Sequence, residues 1–251
     1  MPKQIAVAGK GGVGKTTFTA LLIRYLINRK KGAILAVDAD PNANLNEALG
    51  LTVEQTISEL LTSTKELGAI PTGMTQETYI EYQLQASLVE SKSVDMLVMG
   101  GPQGPGCYCF PNNLLRKYME TLGKNYAYIV MDNEAGLEHI SRQVSDDIDC
   151  MFVVSDASAR SIRSAGRVNQ LVKSLKSTVK NIYLVITKTQ SEGDLAELQP
   201  EIEKTGLEVI GVIPYDPEVA RFDLLSKPLF NLPDEALSVK AVESICEKTQ
   251  I

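Results

Sequence analysis

The sequence predicts an α/β protein with a mostly parallel central sheet covered by helices on both faces. Three observations lead there. Residues 9–16 read Gly-Lys-Gly-Gly-Val-Gly-Lys-Thr and complete the G-x-x-x-x-G-K-[ST] phosphate-loop pattern. The loop stands between a short apolar run, Gln4 to Ala8, and a helical stretch, Phe18 to Tyr25. Beyond it, short runs of β-branched and large apolar residues alternate with longer helical patterns.

After the strand at 4–8, further strands are expected at Ala33 to Val37, Val94 to Met99, Tyr128 to Met131, Cys150 to Val154, Ile182 to Ile186 and Val209 to Ile213. Each run is too short for a good helix. Helical crossovers between parallel strands should be right-handed, which puts ligands at the C-terminal ends of the strands. Thr52 to Ser91 is expected to hold two helices outside the sheet, around a turn at Pro71 to Gly73. A further helix is expected over Glu235 to Ile251, without a basic amphipathic face for a membrane surface.

The 251 residues suffice to bury one core, and no long linker divides them, so residues 1–251 are expected to form a single domain. Net charge is -6, and no basic tract exceeds Arg29-Lys30-Lys31, which argues against nucleic acid as a partner. No apolar run approaches the ~18 residues that membrane insertion needs. The first residues already begin a core strand, so no secretory signal and a cytoplasmic location are expected. Four cysteines in such a protein point to thiols or metal rather than to a disulfide framework.

The phosphate loop has a defined chemistry. Gly9, Gly11, Gly12, Val13 and Gly14 bring backbone N–H groups toward phosphates, with Thr17 expected beside them, and the helix that follows adds a favourable field. Lys15 is expected to reach the β- and γ-phosphates, and the Thr16 hydroxyl to ligate Mg²⁺. Lys10 has no part in the ordinary motif. It is either a solvated loop residue or a fixed cation for a terminal phosphoryl group, of the same chain or of a second subunit. Two strands deliver carboxylates to the same edge. Asp38 and Asp40 fall in Asp38-Ala39-Asp40-Pro41, where the proline stops the strand, and Asp132 follows the strand at 128–131. Asp132 is a candidate for orienting Mg²⁺ or its water, Asp40 for positioning the attacking water, and Asp38 for holding that network. The alternative is that these strand-end aspartates cap the next helix.

Taken together, the loop with Lys10, the Asp38–Pro41 segment and Asp132 resemble the MinD/ParA/nitrogenase-iron-protein superfamily of dimerising deviant Walker A ATPases. The resemblance implies that Lys10 reaches the partner's nucleotide in an ATP-dependent homodimer, with Asp40 in switch I and Asp132 opening switch II. It also implies ATP or ADP with Mg²⁺ as ligands. Relatives often carry Asn-Lys for base recognition where this chain has Thr187-Lys188. A threonine lacks the amide's paired donor and acceptor, so adenine selection is expected to lean on the backbone around Pro214 to Pro217, with Pro214, Tyr215 and Asp216, like Thr187 and Lys188, among the nucleotide-binding residues.

A second motif is Cys107-Tyr108-Cys109, after the glycine- and proline-rich loop 100–106. Such a loop is exposed and shapeable, and a C-x-C disulfide would be strained. Two thiolates are half of a Zn²⁺ site, and neither Cys150, Cys246 nor the single His139 completes it. Two-fold symmetry would supply four sulfurs on a dimer axis, suited to Zn²⁺, Ni²⁺ or an iron–sulfur cluster. A regulatory dithiol and inert loop thiols are the alternatives. Within the superfamily this loop, with the stretch Asp132 to His139, resembles the nickel-maturation ATPases of carbon monoxide dehydrogenase and acetyl-CoA synthase. That resemblance implies Ni²⁺ at a dimer-interface site of Cys107 and Cys109, Zn²⁺ as a competing occupant, and a nickel enzyme as client. A positioning switch of the MinD/ParA kind and an iron–sulfur ATP-dependent reductase are the rival readings.

Overall fold

The computed structural model describes residues 1–40, 42–63, 70–100, 118–133, 147–174, 178–191 and 193–251. Seven strands occupy the expected places: β1 Lys3–Gly9, β2 Ile34–Ala39, β3 Asp95–Val98, β4 Tyr128–Asn133, β5 Asp147–Asp156, β6 Thr178–Thr189 and β7 Glu208–Pro214. They form one sheet in the order β3-β2-β4-β1-β5-β6-β7. Every neighbouring pair is parallel. The chain leaves β1 toward β2 and β3 on one side, returns to β4, and crosses to β5 on the other. This reversal at β1 opens the crevice where ligands of open α/β sheets bind.

β5 and β6 are the longest strands and outrun their expected bounds at both ends. They pair with each other from Asp147↔Thr178 to Asp156↔Thr187, so ladder hydrogen bonds hold polar ends that hydropathy alone leaves out. The helices are α1 Lys15–Asn28, α2 Leu45–Leu49, α3 Ile57–Ser63, α4 Gln76–Ala86, α5 Ala159–Ser174, α6 Gly193–Thr205, α7 Pro217–Leu224 and α8 Leu237–Lys248. α3 and α4 are the pair expected within 52–91. α2 was not expected, because five residues are too few to show a period.

Alternation along the strands builds a core on each face. Ile5 and Val7 of β1 join α1, α2 and α8 on one side. Ala6 and Ala8 join α3, α4, α5 and α6 on the other. The strands are therefore apolar on both faces, as a parallel sheet requires. Among the described residues no helix is long and apolar enough to cross a membrane.

Candidate active site

The phosphate loop is fixed by what surrounds it. Gly9 ends β1 at φ 153°, and a Cβ there would lie 2.2 Å from the Val154 carbonyl oxygen of β5. No side chain fits that approach. Gly14, at φ 92°, turns the chain into α1, which starts at Lys15 rather than at Phe18 as the apolar pattern suggested. The Val13 side chain is fully buried and anchors the loop to the core. Lys15 is 6% exposed, with its ammonium 4.0 Å from Asp40 Oδ2. Lys10 is exposed and lines neither of the two cavities described below.

β2 and β4 end side by side, with Asp38 opposite Asp132. Asp38 is completely buried. Its Oδ1 accepts from Asp40 N at 3.0 Å and its Oδ2 from Leu45 N at 2.9 Å. Burial raises its pKa, and these two N–H donors pull it back. Asp38 thus caps α2 and holds the turn that presents Asp40. Asp40 Oδ1 in turn accepts from the backbone and side chain of Asn42, while Oδ2 faces Lys15.

Thr16 Oγ1 donates to Asp132 Oδ2 at 2.7 Å. Asp132 Oδ1 is buried and has no partner among the described residues. Burial, with Asp38 and Asp40 nearby, pushes this carboxyl up to about 7 against the pull of Thr16 and Lys15. A hydroxyl and an unpartnered carboxylate oxygen, set beside the phosphate loop, are hard donors of the kind Mg²⁺ takes. The residues present therefore fit that ion.

Two adjoining cavities share Gly14, Thr17, Lys188, Val219 and Asp223. The larger, about 520 Å³, is lined by Gly11, Gly12, Lys15, Thr16 and Asp40 and is the phosphate end. The smaller, about 190 Å³, lies between Phe18, Leu21, Ile213, Pro214 and Tyr215 and offers an apolar slot for a flat base. Asp216 lines this slot but spends its carboxylate on the protein. Oδ1 accepts from Glu218 N at 3.0 Å, and Oδ2 accepts from Ser238 N at 2.9 Å and Ser238 Oγ at 2.8 Å. It brackets the turn after β7 to the start of α8. The hydroxyl of Thr187 is likewise engaged within the protein, on the Val13 carbonyl at 2.6 Å.

Asn42, Asn44, Glu47, Asp223 and Lys227 also line the phosphate end and were missed by sequence reasoning. The polar turn after Asp40 could have flagged the first two. Asp223 and Lys227 sit in no motif and arrive only because α7 folds back over the loop. Cys107, Cys109 and the continuation after Asn133, including His139, lie outside the described residues. Cys150 and Cys246 are buried free thiols within the core.

Residues 5–229 match the CbiA family, described as the CobQ/CobB/MinD/ParA nucleotide-binding domain. An uncharacterized ATP-binding protein of Methanocaldococcus jannaschii is 46% identical over 248 residues, 97% of each chain. The carbon monoxide dehydrogenase accessory protein CooC of Rhodospirillum rubrum is 29% identical over 242 residues, 91% of this chain and 90% of its own. The septum site-determining protein MinD of Pyrococcus horikoshii, complexed with Mg-ADP, shares the fold at a TM-score of 0.70 and 20% identity, covering 99% of this chain and 96% of its own. With the loop, the paired aspartates and the two-part cavity in place, the chain belongs to the CobQ/CobB/MinD/ParA nucleotide-binding family and is a P-loop ATPase.

Proposed function

We propose that this ATPase handles nickel for a client enzyme, carbon monoxide dehydrogenase or acetyl-CoA synthase, through a homodimer whose two copies pool Cys107 and Cys109. The observation that carries this reading is a hydrogen bond at the root of the cysteine loop. Met99 N, just past β3, donates at 2.8 Å to the carbonyl of Asp38, the residue that holds Asp40 at the nucleotide. Ser58 N of α3 then donates to Met99 O at 2.9 Å. Met99, upstream of Cys107 in the chain, is thus bonded to the strand end that carries Asp38. The similarity to the carbon monoxide dehydrogenase accessory protein CooC supports the choice of client.

In this reading, Gly11 to Thr17 bind the triphosphate and Lys15 neutralises its terminal charge. Asp40 leaves Lys15 to orient the attacking water, and Asp38 keeps the turn in register. Thr16 and Asp132 would hold Mg²⁺, whose positive charge would offset the negative charge on the transferring phosphoryl group. Lys10, exposed beside its own loop, reaches across to the second copy's nucleotide and makes hydrolysis depend on the dimer. Nickel is the cargo, bound by thiolates on the shared axis; zinc competes for the same sulfurs.

The test is metal stoichiometry by native mass measurement, with Ni²⁺ and Zn²⁺ added separately in the presence of a non-hydrolysable ATP analogue. One Ni²⁺ per dimer is expected in the wild type and none in Cys107→Ser, which should still bind the nucleotide. Retention of the metal by Cys107→Ser would remove the site assignment.

A further inference from the structure

The end of β6 reaches over the phosphate loop in an unusual way. The β6–β7 register is irregular between Thr187 and Thr189, and Lys188 has φ 58°. A bulge re-aims side chains, and a non-glycine residue in the left-handed region is costly unless its surroundings require it. Here both side chains land on carbonyls of the loop. Lys188 Nζ donates to Gly12 O at 2.7 Å and Thr187 Oγ1 to Val13 O at 2.6 Å. A hydroxyl has one proton, and the more distant Ser155 O, at 3.2 Å, takes at most a minor share of it.

In a trans peptide the C=O of one residue and the N–H of the next point in opposite directions. No cis peptide bond interrupts the described chain. Pinning the Gly12 carbonyl outward therefore turns the Val13 N–H the other way, and pinning the Val13 carbonyl does the same for the Gly14 N–H. Neither of these amides has an acceptor among the described residues. Free N–H groups at this position are what an anion needs.

We propose that Thr187 and Lys188 form a clamp that sets the polarity of the phosphate loop before nucleotide arrives. They are positioning residues for the phosphates, acting through Val13 and Gly12, and not readers of the base. The proposal rests on nucleotide binding at residues 9–16 and is independent of the nickel reading.

The discriminating experiment compares ligands with and without phosphates on Lys188→Met, using calorimetry for ADP and a non-hydrolysable ATP analogue and ligand-observed NMR for adenosine. Lys188 is exposed, so the variant should fold. A clamp predicts that ADP and the analogue bind about tenfold more weakly, in line with the loss of a charged hydrogen bond, while adenosine binding is unchanged. Thr187→Val should show the same phosphate-selective loss, and Thr187→Ser, which keeps the hydroxyl, should restore wild-type binding. An equal loss for adenosine and ADP would mean that the pair reads the base and would overturn the clamp, as would no loss for either ligand. Failure of the wild type to bind ADP would instead remove the nucleotide site itself, and the clamp with it.

Discussion

Thr16 Oγ1 lies 2.7 Å from Asp132 Oδ2, joining the first turn of α1 to the end of β4 and leaving Asp132 Oδ1 buried without a partner among the described residues. Ionising this buried carboxyl destabilises the nucleotide-free protein. Its pKa, about 7 when folded against 3.8 for an ordinary aspartate, means that the folded state binds this proton more tightly than the unfolded state. Its contribution is therefore most favourable below about pH 4 and declines as pH rises toward 7, by something on the order of 4 kcal/mol, then levels off.

Asp132→Asn should remove that slope. Thermal melts of the nucleotide-free variant are expected to be nearly independent of this group between pH 4 and 7, with a higher Tm than wild type at pH 8. Mg²⁺-dependent ATP hydrolysis should fall on the order of 10- to 100-fold, as with other altered metal supports. A variant that melts below wild type at pH 8 would show that the buried charge is already compensated.

Asp38 is predicted to act on its loop and not on the phosphates directly. Asp38→Ala strands the N–H groups of Asp40 and Leu45, at a cost of ~1–3 kcal/mol. Hydrogen exchange over residues 40–50 should accelerate far more than exchange in β5 or β6. Uniform acceleration across the sheet would contradict this role.

Gly9→Ala places a methyl 2.2 Å from the Val154 carbonyl, a contact only a backbone shift can relieve. A loss of roughly 2–3 kcal/mol is expected from overpacking, which for a chain of this size lowers Tm by roughly 4–12 °C. Differential scanning calorimetry measures it directly.

Lys10→Ala should separate binding from turnover. Because Lys10 lines neither cavity of its own chain, ADP affinity should stay within about twofold of wild type, while hydrolysis falls on the order of 100-fold if a transition-state cation is lost. Light scattering with ATP should show the dimer weakened. A variant that hydrolyses ATP normally would return Lys10 to the status of a solvated loop residue.

Much of this architecture was legible because its signals are local. Gly9 to Thr16 announce their chemistry by spacing alone, and strands such as Ile5–Ala8 and Leu184–Ile186 are apolar on both faces. Asp132 and Asp40 were legible as strand-end carboxylates, since a loop that binds phosphate needs them nearby. What escaped notice depends on tertiary closure. Nothing local says that the carboxylate of Asp216 is used on Ser238, 22 residues away, or that Lys188 lands on Gly12, 176 residues away. α2 went unseen because a five-residue helix is specified by the Asp38 cap and the left-handed Gly50 at its end, not by periodicity.

Under the proposed function, the nucleotide site and the Cys107–Cys109 loop are coupled through the bond between Met99 and Asp38. Coupling between two binding sites is reciprocal, so it can be read at the metal. The deciding measurement is the Ni²⁺ affinity of the wild-type protein saturated with ADP against the same protein saturated with a non-hydrolysable ATP analogue. The account predicts affinities that differ by at least about fivefold, the lower end of typical allosteric coupling, and a matching shift in nucleotide affinity when nickel is bound. Equal nickel affinity in the two nucleotide states would contradict it.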